Sequence, residues 1–229
     1  MEIRENIKKQ INEVLLNYIE KNVFPVYNQN DGGHGIGHIY DVINRSFDLL
    51  DNLNLGMDRD IVFTIAAYHD IGRIINDEEH EKESAKIFLD DQFIASFYDN
   101  EKRKMMAEAI EDHRASIKYE PRSDYGKLVS SADRNHDVIK PLIRTYQYRL
   151  KHNPDSSLEE KIKESYDVLK VKFGEKGYAE KVWYDDGVYK KYLADLRNLM
   201  NNYEIFTSEY IRVNGINKDD CNLKKIKKN

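Results

Sequence analysis

Six of the seven histidines in this 229-residue chain fall between positions 34 and 136, most of them beside an acidic residue or a glycine. They occur in short runs: His34-Gly35-Ile36-Gly37-His38, Tyr68-His69-Asp70-Ile71-Gly72, and His80 followed by Ser84-Ala85. Ala109-Ile110-Glu111-Asp112-His113 and Ser131-Ala132-Asp133-Arg134 complete the set. Imidazole nitrogen and carboxylate oxygen together suit borderline or hard divalent ions such as iron, manganese, cobalt, nickel or zinc. The single cysteine, Cys221, allows neither a thiolate cluster nor an intrachain disulfide. A closed structural zinc site is therefore not expected, and coordination positions left open to water point to catalysis.

Each run also has a plainer reading. His69-Asp70 could be a hydrogen-bonded pair at a helix end, and Asp133 a surface acid. His80 lies in the charged stretch Asp77 to Glu83, which by itself reads as a solvated helix face. His34, one turn before His38, suits a cavity-lining or loop-capping role better than ligation. His136 and His152 read as surface residues, and the 16 tyrosines as helix-packing material.

The elements that must position these residues are helical. Gly and Pro are scarce, at 11 and 4, which favours helices over a turn-rich strand fold. Apolar residues at spacings of three and four predict helices over 3–22, 35–53 and 58–70, with Asp58 as an N-cap for the third. The third helix is apolar on most faces, so it should be the buried centre of the domain, with His69 and Asp70 at its end. Further helices are expected near 78–90, 98–114, 126–138 and 139–151, with Pro121 and Pro154 in loops. From 156 to 213 the pattern stays helical, interrupted at Trp183-Tyr184-Asp185-Asp186-Gly187. One domain is expected: a core over about 20–140, a helical extension over about 141–213 and a tail over 214–229.

Charge excludes some functions. The net charge of −5 lacks the basic footprint of a nucleic-acid binder, and Lys224, Lys225, Lys227 and Lys228 read as a solvated tail. The charged start of the chain and the short apolar runs give no signal peptide and no membrane span, so a soluble cytoplasmic protein is expected.

In order and context these runs resemble the HD superfamily of metal-dependent phosphohydrolases, over residues 34 to 137. His38 fits its lone histidine, His69-Asp70 its His-Asp pair, and Asp133 its later aspartate. The resemblance implies an all-α HD-domain helical bundle, here with an additional C-terminal helical layer. Gly35 and Asp41 depart from one branch, in which Asp and Arg stand at these places. A phosphate contact made by that arginine in relatives thus has no counterpart at position 41.

His80 and His113 look like the added ligands of a dinuclear branch, which includes hydrolases of symmetrical dinucleoside tetraphosphates. The implied sites are His38, His69, Asp70 and Asp133 for one ion, and Asp70, His80 and His113 for the other. The ions could be Fe, Mn, Co, Ni, Zn or Mg, one or two per chain. The implied reaction is attack of metal-bound hydroxide on a phosphoester or phosphoanhydride of a small substrate, most naturally a nucleotide, with Asp70, His69 and Asp133 as the catalytic set. Candidate phosphate contacts are Arg73, Arg114, Arg134 and Lys82, although Arg73 could equally pair with Asp77 one turn on. Asp137 is a candidate to orient a ligand or water. Neither a nucleic-acid nor a membrane partner is expected; a homodimer is compatible. Two other readings stay open: a regulatory or ligand-binding HD module without turnover, and a di-iron HD-type oxygenase.

Overall fold

In the computed structural model, residues 2–30, 35–134 and 136–217 are described, so His34, Cys221 and the C-terminal lysines lie outside the described residues. The chain divides into two compact units, Met1–Arg134 with Val182–Asp186, and Asn135–Lys181 with Gly187–Asn229. All regular structure among the described residues is helical.

The first unit contains α1 (Glu5–Lys8), α2 (Glu13–Asn22), α3 (Ile36–Asn52), α4 (Arg59–Tyr68), α5 (His80–Asp90), α6 (Gln92–Phe97), α7 (Asn100–Glu111) and α8 (Asp124–Ala132). Two 3-10 turns, Phe24–Gln29 and Ile71–Ile74, join them. Short polar side chains start most of these helices by accepting from first-turn amides: Asn12, Asp58, Asp91, Asp99 and Ser123. The helix expected over 3–22 is two helices. Asn12 caps α2 through its side chain while its own amide donates to Asp60, which starts a new helix inside an unbroken apolar pattern. Ile7, Ile11, Leu15 and Ile19 all face the core, which is why the periodicity crosses the break unnoticed.

Helix α4 is the centre of this unit. Every residue from Ile61 to Tyr68 is buried, and α3, α7 and α8 pack around it. Its last carbonyls have no partner within the helix, and side chains supply two. Tyr27 Oη donates to Ala67 O at 2.8 Å, and His69 Nδ1 lies 2.7 Å from Ala66 O. Tyr27→Phe strands a buried carbonyl at the end of the helix that presents His69. A loss of about 1–3 kcal/mol is expected in urea unfolding; an unchanged midpoint would remove this bond from the account.

The second unit contains α9 (Ile139–His152), α10 (Leu158–Phe173), α11 (Val188–Met200) and α12 (Tyr203–Val213), with Leu142, Leu169, Phe173, Leu196, Phe206 and Tyr210 buried. A capping box between Ser157 and Glu160 starts α10. No helix among the described residues is long and apolar enough to cross a membrane.

Candidate metal centre

Six polar residues from five helices and their ends meet in the first unit. His38 lies in the first turn of α3, His69 caps the C-terminus of α4, and Asp70 opens the following 3-10 turn. His80 begins α5, His113 follows the cap of α7, and Asp133 caps the C-terminus of α8. The helices expected over 58–70, 98–114 and 126–138 thus all end earlier, at 68, 111 and 132, leaving the ligand candidates at their ends. Three helix C-termini, with their partial negative charge, converge on the cluster and favour a cation there.

The carboxylate of Asp70 is the hub. Its Oδ2 lies 3.6 Å from His38 Nε2 and 3.7 Å from His69 Nε2, while Oδ1 lies 3.2 Å from His80 Nε2 and 3.4 Å from His113 Nε2. Asp133 Oδ1 stands 3.1 Å from His38 Nε2 and 4.0 Å from His69 Nε2. The two oxygens of one carboxylate therefore face two different pairs of imidazoles. Three groups have donor atoms close enough to share an ion: His38, His69 and Asp70; His69, His113 and Asp133; and Asp70, His80 and His113.

The imidazoles are oriented from behind. His69, His80 and His113 each place Nδ1 against a backbone carbonyl three residues earlier, at 2.7, 2.9 and 2.6 Å. With Nδ1–H donating there, Nε2 carries the lone pair and points inward, the usual outer-shell arrangement of a metal-binding histidine. Burial pushes the His69 imidazole down to about 4, so it is neutral at neutral pH. His69 Nε2 and Asp70 Oδ1 are nevertheless buried with no hydrogen-bond partner. His80 Nε2 and His113 Nε2 face each other at 3.3 Å, and Arg73 Nη2 stands 3.1 Å from His80 Nε2. Buried lone pairs left without a donor, as on His69 and Asp70, are costly, and a divalent cation relieves them.

The charge balance agrees. Burial would raise Asp70, but His69, His113, His80 and Arg73 hold it well below the usual carboxylate range. Asp133 is lowered likewise by His38, His69 and His113 against the effect of burial. Burial pulls His113 down, yet Asp70 and Asp133 lift it above its ordinary value, so a positive charge is favoured beside these two acids. The donor set, imidazole and carboxylate without sulfur, fits a borderline or hard divalent ion.

The four candidate phosphate contacts separate. Arg73 stands at the cluster, its Nε 2.9 Å from Asp70 Oδ2 but out of line for a hydrogen bond, and its Nη2 3.1 Å from His80 Nε2. It also pairs with Asp77 one turn on. Arg114 binds Glu78 O and Glu81 Oε2, at 2.7 and 2.9 Å, alongside the first turn of α5. Arg134 folds back on Ser130 Oγ at 3.1 Å and is buried. Lys82 does not join the cluster: its side chain is 63% exposed and pairs with Glu79. Asp137 accepts from the Ile139 amide at the start of α9, a capping contact.

Sequence reasoning missed two supports. Asp112, fully buried, accepts from Tyr119 Oη and from the backbone amide and guanidinium of Arg122, which fixes the loop beside His113. The Glu-Asp-His run held the signal, but its acid was read only as a neighbour. Gly72 is the second. A Cβ there would meet Ser84 N at 2.4 Å and His80 O at 2.5 Å, so this glycine lets α5 lie against the 3-10 turn that carries Asp70.

No curated protein and no solved structure matches the chain. Residues 35–136, which span His38 through Asp133, match the family model for the HD domain. That segment is an HD domain, and its match supports membership of the HD-domain superfamily.

Proposed function

We propose that the protein hydrolyses a phosphoester or phosphoanhydride, most naturally in a nucleotide, with two divalent ions that Asp70 would help to hold. The observation that carries this reading is the split of the Asp70 carboxylate, Oδ2 toward His38 and His69 and Oδ1 toward His80 and His113. When bound, two such ions acidify a water and offset the charge on attacking and phosphate oxygens. The chain's own residues then have distinct tasks. His38, His69 and Asp133 would complete one side and His80 and His113 the other; backbone carbonyls orient His69, His80 and His113, and Asp133 faces His38. Arg73 is the cation at the cluster, and its planar guanidinium suits a phosphate oxygen better than an ammonium would.

The test is phosphate release from a panel of mono- and dinucleotides by chelator-treated protein resupplied with manganese, cobalt, nickel, iron or zinc. Release that needs the metal, with close to two ions per chain, supports the reading. Absence of release with every metal and substrate would sink it, and oxygen uptake instead would move the protein to the oxygenase class.

Metal removal has a second expected effect. An ion at about 100 times its dissociation constant stabilises the folded state by about 2.7 kcal/mol, which raises the thermal midpoint by roughly 5–10 °C for a chain of this size. A midpoint indifferent to added metal would count against an ion in the buried cluster.

A further inference from the structure

The Trp183-Tyr184-Asp185-Asp186-Gly187 interruption lies well beyond the HD match, yet residues 182–186 belong to the first unit. They grip two helices at once. On α3, Arg45 Nη1 and Nη2 donate to Asp186 Oδ2 and Oδ1 at 2.7 and 2.5 Å, and Asn52 Nδ2 donates to Oδ2 at 2.8 Å. This fork is dry, the two side chains being 10% and 4% exposed. On α8, Ser131 Oγ accepts from the amides of Trp183 and Tyr184, both at 3.0 Å, and donates to Lys127 O at 2.8 Å. That uses the full capacity of the hydroxyl. Lys127 Nζ also lies 5.8 Å from the centre of the Trp183 ring.

The helices so tied supply two of the three residues on one side of the metal centre. Helix α3 brings His38 and α8 brings Asp133, whose Nε2 and Oδ1 stand 3.1 Å apart, and Ser131 lies two residues before Asp133. A bidentate guanidinium–carboxylate pair fixes direction as well as distance, and a buried one resists opening because either partner alone is left uncompensated. We propose that residues 182–186 are a positioning strap for the metal centre, holding α3 to α8 so that His38 and Asp133 are presented to one ion. The inference rests on the metal-centre reading above. No strap residue needs to touch the ion or the substrate; each acts through His38 or Asp133.

Two variants of the full chain test it. Asp186→Asn removes the charge at nearly constant size, and the milder Ser131→Ala removes the acceptor of both strap amides. Cobalt binding to chelator-treated protein, followed by calorimetry and by the visible absorption of the ion, is read beside hydrogen exchange of α3 and α8. In each variant the first-ion affinity should fall about 10- to 100-fold, the range for groups that orient metal ligands, with altered absorption, faster exchange at the start of α3 and the end of α8, and unchanged helix content. Asp186→Glu, which keeps the charge, should recover part of the affinity. Folded variants with faster exchange but parental cobalt affinity would overturn the proposal and leave a tie of the fold alone. A parent that binds no cobalt would instead sink the metal-centre reading, and the strap's positioning role with it.

Discussion

Asp70→Ala should leave the protein with no bound ion and reduce hydrolysis by more than about 100-fold, the upper figure for residues that merely orient a ligand. The reason is the split carboxylate. Its Oδ2 belongs to the His38 and His69 side and its Oδ1 to the His80 and His113 side, so one substitution takes an anionic oxygen from each. Four imidazoles and Asp133 remain, but they no longer share a ligand, and the negative charge that offsets two dications is halved. His80→Ala should behave differently, because that ring touches only the Oδ1 side. One ion should be lost and one kept. The fold should survive Asp70→Ala, since Arg73 keeps its pairing with Asp77 and is not left as an uncompensated charge. Metal content by elemental analysis, with circular dichroism as the control, separates the cases. A folded Asp70→Ala protein that still carries two ions would refute this role of Asp70.

Much of this centre was legible in the sequence because ligand chemistry is written in residue types and the burial of α4 in its composition. Imidazoles and carboxylates beside an apolar helix have few bland uses, and all six candidates do meet. Helix ends were less legible. Periodicity carried the expected helices through His69, His113 and Asp133, yet each stands at or just past a helix terminus; at His69 and His113 an imidazole rather than the next amide takes a carbonyl. Propensity cannot see such a switch, because it depends on what the freed side chain finds in space. The tie between Arg45 and Asp186 spans 141 positions and leaves no local pattern at all. Lys82 shows the opposite error: a basic residue two positions from His80 looked available for phosphate, but the helical turn carries it outward.

Gly72→Ala should weaken the ion on the His80 side more than the other. The added Cβ would lie 2.4 Å from Ser84 N, 2.5 Å from His80 O and 2.7 Å from Glu83 Cβ, separations that real atoms do not adopt. Two of these three neighbours are backbone atoms of α5, so no flexible side chain can swing aside. Either α5 or the turn after Asp70 must shift, and the bond from Gly72 N to Ser84 Oγ at 2.9 Å is strained with it. Because His80 is the first residue of α5, its Nε2 moves relative to Asp70 Oδ1 whichever element yields. His38, His69 and Asp133 come from α3, α4 and α8 and are not displaced. Overpacking of this kind costs about 1–3 kcal/mol, so the thermal midpoint should drop by roughly 2–12 °C. Gly37 provides the control. It stands beside His38, but a Cβ there meets nothing within 4 Å, and alanine in that helical position should be neutral or stabilising by about 0.4–1 kcal/mol. If Gly72→Ala kept two ions at parental affinity, the close approach of α5 would not be what holds His80 in place. If Gly37→Ala lost an ion as readily, the effect would follow from crowding near the histidines in general and not from the contact between the Asp70 turn and α5.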